Sequence, residues 1–168
     1  MLEYLITSKT RLRLLIKFFV NIANQGYLNS LANEFGESTN SVRKELNNLS
    51  SAGYLEKRNV NNKVIYKANS SHPLFKVIQK IVHKHIGIEE IVENVCNRIG
   101  DVKKIMVLGD YAKGIDSGII EVLIVGENIN EHYLDDIAPK IEKKINRKVN
   151  FFVSNKSLKQ STLTIFEA

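Results

Sequence analysis

The 168-residue chain has one cysteine, no tryptophan and only two prolines. A lone cysteine, Cys96, excludes an internal disulfide and fits a reducing compartment. It lies in the apolar series Ile91, Val92, Val95, Cys96, Ile99 and is expected to be a small core residue. No apolar run approaches the roughly 18 residues of a membrane-spanning helix. Nor is a secretory leader expected before the first helical pattern. The expectation is a soluble cytoplasmic protein with no membrane partner. Metal ligands are scarce too. The four histidines are His72, His83, His85 and His132. His83 and His85 are two apart, so on a helix they diverge, whereas ligands on one face need a spacing of three or four. With one cysteine beside them, no metal site and no cofactor are expected. There is no internal repeat and no low-complexity tract.

Acidic residues are short in one half only. Residues 1–87 hold 13 Lys/Arg against 5 Asp/Glu, a net of +8; residues 88–168 hold 11 against 13, a net of −2. A generally basic chain would not divide this way. The positive field belongs to the first half, where it can neutralise nucleic-acid phosphates. The length allows one or two small domains.

Within the basic half, Leu28, Leu31, Ala32 and Phe35 recur at helical spacing over residues 27–35. Gly36 is placed to end that helix, and Ser38 or Thr39 to cap the next. There Val42, Leu46 and Leu49 face inward, leaving Asn40, Ser41, Arg43, Lys44, Asn47 and Asn48 outward. Arginine and asparagine can make bidentate hydrogen bonds to purine edges in the major groove. Serine and threonine at a helix start suit phosphate contacts. After Gly53 the period becomes that of strands, residues 54–58 and 64–67, about a polar turn at 59–63. This places Lys57, Arg58 and Lys63 near a hairpin tip, where they would hold DNA backbone. An earlier helix, about residues 8–21, has Leu12, Leu15, Ile16, Phe19 and Val20 inward. Its Lys9, Arg11, Arg13 and Lys17 read as a solvated basic back.

The stretches LNSLANEFGESTNSVRKELNNLSSAGYLEKR, VIYKAN and HPLFKVIQKIV together resemble the winged helix-turn-helix of ArsR-like transcriptional regulators, over about residues 8–87. The resemblance implies a domain at residues 1–70 that binds double-stranded DNA, and operator binding as a homodimer.

Ser71-His72-Pro73 marks a break, since proline suits the first turn of a helix. Leu74, Phe75, Ile78, Ile81, Val82 and His85 then form an apolar stripe that Gly87 can end. A second amphipathic helix follows at about 88–99. These connector helices, residues 71–100, would cover the basic domain or pair two subunits about a twofold axis.

From Val102 onward the pattern is αβ. Residues 104–108 read as a strand, 109–114 as a glycine turn opening a short helix, and 119–125 as a buried strand. A helix at 133–146 has Leu134, Ile137, Ile141 and Ile145 inward, and 149–153 is a third strand. Residues 158–166 are left open between helix and strand. The motif LGDYAKGIDSGIIEVLIVG resembles minimal nucleotidyltransferases of the polymerase-beta type. That family has a strand, a Gly-Ser turn and then a strand bearing paired carboxylates that hold two divalent cations. Gly109 and Gly114 match the turn, but Asp110 replaces the serine. The three carboxylate positions fall on Ile119, Glu121 and Asn150.

One carboxylate cannot hold two cations. The expectation for residues 101–168 is therefore a degenerate, non-catalytic nucleotidyltransferase-like α/β domain with a small mixed sheet. Gly109, Asp110, Tyr111, Lys113, Gly114 and Glu121 would line any inherited pocket, for a small-molecule or protein effector. The whole is expected to be an α+β transcriptional regulator. The alternative is an antitoxin-like nucleotidyltransferase whose winged helix selects its substrate.

Overall fold

The computed structural model describes residues 1–158 and 162–168. It is an α+β fold with a three-stranded and a four-stranded sheet. The chain divides into two compact units, Met1–Val82 and His83–Ala168. Among the described residues no helix is long and apolar enough to cross a membrane.

The first unit begins with a short 3-10 turn at Leu2–Tyr4 and then α1 (Lys9–Phe19). Ser8 caps α1 by accepting from the Arg11 N–H at 3.2 Å. Leu14, Ile16, Phe18 and Phe19 are buried, while Leu12 and Leu15 are only half-buried. The expected single stripe was too narrow, because α1 packs against α3 (Thr39–Ser51), β3 (Lys63–Ala68) and the N-terminal turn, on more than one side. A strand the spacing did not announce, β1 (Gln25–Tyr27), precedes α2 (Leu28–Phe35). Three residues are too few to display a period. Gly36 ends α2 in the left-handed region at φ +62°.

The hairpin is tighter than the sequence suggests. β2 (Leu55–Val60) and β3 are joined by Asn61 and Asn62 alone, at φ +48° and +61°. Two positive-φ residues make the turn that matches strand twist, and asparagine tolerates that region. The sheet order is β1-β3-β2, antiparallel throughout. In α4 (Phe75–Ile86), Phe75 packs on Phe19 with ring centroids 5.5 Å apart. Val82 is buried, but Leu74, Val77 and Ile81 are 46%, 54% and 43% exposed. Part of the expected apolar stripe therefore faces outward.

The second unit holds α5 (Ile88–Cys96), β4 (Asp101–Leu108), α6 (Gly109–Ala112), β5 (Ile119–Glu127), α7 (Glu131–Ile145), β6 (Lys148–Ser154) and β7 (Leu163–Glu167). Sheet order is β6-β5-β4-β7; only β5 and β6 are parallel, joined by α7. The open C-terminal stretch supplies β7, antiparallel to β4, although residues 159–161 of it lie outside the described residues. Leu134, Ile137, Ile141 and Ile145 are buried, as their helical spacing predicts. Ile120, Val122 and Ile124 fill one face of β5. On the other, Leu123 and Val125 cluster with Met106 and Leu108. Cys96 is half-buried rather than in the core, and burial raises its thiol pKa.

Candidate nucleic-acid interface

Ion pairing in the first unit is selective. Arg11 pairs with Glu45 at 2.9 Å, Lys17 with Glu34 at 2.9 Å, Arg13 with Glu37, and Lys67 with Glu56 at 3.3 Å. The fifth acid, Glu3, meets the terminal amine. Every acidic side chain of this unit is thus engaged. The basic back expected for α1 is corrected accordingly. Three of its four cations tie α1 to α2, α3 and the turn between them, and Lys17 is itself buried. Burial alone would raise the Glu45 carboxyl, but hydrogen bonds from Arg11 and Ser8 outweigh it and hold the pKa below the ordinary value.

The cations left without an acidic partner among the described residues include Arg43, Lys44, Lys57, Arg58 and Lys63, all exposed. Ser38 caps α3, accepting from the Ser41 N–H at 3.2 Å and donating to the Ser41 hydroxyl at 3.0 Å. Thr39, Asn40, Ser41 and Asn47 are exposed beside them, and the Asn40 amide oxygen accepts from Arg43 at 3.2 Å. A cleft of about 450 Å³ brings Arg43 and Asn47 of α3 together with Lys63. Asn29, Asn62 and Tyr27 also line it, and no acidic side chain does. The sequence pattern does not single out those three: it places Tyr27 and Asn29 in a helix over residues 27–35, and Asn62 in a turn over 59–63.

Lys57 and Arg58 do not sit at the tip. Lys57 is paired with Tyr66 and Arg58 with Ile65, several residues back along the hairpin. Paired residues share a face and successive residues alternate, so these two cations point to opposite sides.

The glycine turn of the second unit is built differently from a phosphate cradle. Gly109 has φ +58°, and a Cβ there would collide with the Glu121 carboxylate. The carboxylate therefore closes over the turn. Tyr111 is only 1% exposed, a core residue rather than a pocket wall. Its hydroxyl donates to Asp116 and accepts from the Gly118 N–H at 3.0 Å. Desolvation, then the Asp116 carboxylate, push the Tyr111 pKa up. Asp110 and Lys113 are exposed and Gly114 is buried. Ile119, Glu121 and Asn150 do share one neighbourhood, because Glu121 is in register with Asn150 on parallel strands and Ile119 lies two residues back.

Asp116, in the loop before β5, takes a two-point contact from Arg147, Nε to Oδ1 at 2.9 Å and Nη2 to Oδ2 at 2.7 Å. Arg147 also donates to the carbonyls of His85 and Ile145, both at 3.1 Å. Burial would raise the Asp116 pKa, but Arg147 and Tyr111 more than offset it. Neither residue carries a periodic or motif signal that could have paired them in advance. Among the described residues no three His, Cys, Asp or Glu side chains gather as a metal site would require. No family model, curated protein or solved structure matches this chain.

Proposed function

We propose that the protein is a cytoplasmic, sequence-specific DNA-binding transcriptional regulator acting as a dimer. Its first unit serves as a winged helix-turn-helix. Its second is a catalytically degenerate nucleotidyltransferase-like module that senses a ligand or contacts a protein. The observation that carries this reading is the sorting of charge: acids hold the cations of α1, and unpaired cations remain on α3 and the hairpin around a cleft without acids. Such a surface attracts phosphate while asparagine and arginine of α3 face the groove edges.

Binding of the purified protein to its own upstream DNA and to random duplex, at two salt concentrations, tests it. Tight, sequence-dependent and salt-sensitive binding is expected. Equal, weak binding to both duplexes would sink the regulator reading.

Subunit pairing through α4 is supported by the exposed apolar residues Leu74, Val77 and Ile81. Val77→Asp is expected to convert dimer to monomer in sedimentation equilibrium with the helical content unchanged. A wild-type protein that sediments as a monomer would refute the dimer. Absence of enzymatic transfer is supported by the single carboxylate among Ile119, Glu121 and Asn150. Incubation with labelled nucleoside triphosphates and Mg²⁺ or Mn²⁺ should leave protein and RNA unlabelled; label would favour the transferase alternative.

A further inference from the structure

Among the described residues, Lys63 is the one cation of the hairpin seated on an aromatic ring: its Nζ lies 4.4 Å from the centroid of Tyr27. The strand register explains the contact. Tyr27 pairs with Ile65, so Lys63, two residues earlier on β3, is its diagonal neighbour on the same face. Tyr27 is itself fixed twice. Its backbone is paired in the sheet, and its N–H donates to Ser30 Oγ at 3.2 Å while that hydroxyl donates to the Tyr27 carbonyl at 2.8 Å. A free lysine head would sample many rotamers in water. This one lines the acid-free cleft together with Arg43, Asn29 and Asn62. Lys67 on the same strand offers the contrast, because its charge is taken up by Glu56. An aromatic face orients an ammonium without neutralising it, and leaves N–H donors for another acceptor.

We propose that this cleft seats one phosphodiester group of the nucleic-acid backbone, and that Tyr27 is a positioning residue that holds the Lys63 ammonium toward it. The inference rests on the DNA-binding reading above. Its test is a double-mutant cycle on the full chain, measured with fluorescently labelled duplexes carrying the upstream or a random sequence over a salt series. Lys63→Met should weaken binding to both duplexes and reduce the salt slope by about 1. Tyr27→Leu should weaken binding about two- to fivefold when Lys63 is present and leave it unchanged in the Lys63→Met background. Tyr27→Phe, which keeps the ring, should match wild type.

Should Tyr27→Leu fail to fold, proton NMR of wild type and Tyr27→Phe supplies a second readout. The Lys63 ε-methylene protons should be shifted upfield by the ring and move again when duplex is added. Equal losses from Tyr27→Leu in both backgrounds, or ε-protons indifferent to duplex, would overturn the proposal while leaving DNA binding intact. A wild-type chain with no salt-dependent duplex binding would overturn both.

Discussion

In Met1–Val82 all five acidic side chains are held by basic partners and the remainder is cationic. In His83–Ala168 pairing is partial for both signs: Lys103, Lys104, Lys144, Arg147 and Lys148 are paired, while Arg98, Lys113, Lys140 and Lys143, like Glu89, Glu93, Asp110, Glu121 and Glu131, have no ion pair among the described residues. Net charge gives the strength of a field, but the pairing pattern says where it can be used. In the first unit the acids fasten α1 to α2 and α3, which leaves the charges of Arg43, Lys44, Lys57, Arg58 and Lys63 without an acidic partner among the described residues. In the second, the least exposed cation is spent on internal architecture.

The sharpest way to break this contrast is to remove a charge of each kind. Arg147→Met strands Asp116 and uncaps two backbone carbonyls, so it should cost about 1–2 kcal/mol of stability, below the range for breaking a fully buried pair because Asp116 is exposed. Urea unfolding reads the loss directly; a midpoint equal to wild type would show that the pair is incidental. Arg43→Ala should do the converse. It should leave the urea midpoint unchanged and weaken specific DNA binding by about 1–3 kcal/mol if it makes a bidentate base contact. Equal losses on operator and random duplex would reassign Arg43 to backbone contact.

Much of this contrast was legible beforehand. Leu134, Ile137, Ile141 and Ile145 repeat at helical spacing over about three turns, and Gly36 and Ser38 punctuate α2 and α3, so those elements follow from local chemistry. The +8 and −2 halves were visible as well. What was not legible depended on partners distant in sequence. Nothing near Arg11 or Lys17 announces Glu45 or Glu34, so paired and free cations of the first unit look alike in one dimension. Tyr27 lost its strand role because β1 is too short for periodicity, and Asp116 lost its partner because Arg147 is 31 residues away.

Acid titration sharpens the same comparison with a smaller effect. Glu45 in the first unit and Asp116 in the second both have pKa values held below their ordinary ones. Groups depressed in the folded state contribute stability that is complete above their unfolded pKa, near 4, and is lost as pH falls through the folded value. Wild-type stability should therefore drop below about pH 4, and Asp116→Asn should shed part of that dependence. A variant with an unaltered acid limb would refute the contribution. Smallest of all should be Lys57→Ala. Its exposed, unpaired charge should alter stability by less than about 0.5 kcal/mol while lowering the salt slope of DNA binding by about 1. An unchanged slope would remove Lys57, and the face it shares with Tyr66, from the interface.

The two-residue turn at Asn61 and Asn62 makes the hairpin tolerant of spelling but not of length. Residues along β2 and β3 can be exchanged one for one and still keep their side. A single inserted residue has to be absorbed as a bulge or by a slip of β3, and a slip would swing Lys63 away from Tyr27 and Tyr66 out of the core together. A substitution on either strand thus changes one side chain, whereas an insertion or deletion at the turn displaces every residue of β3 in one event.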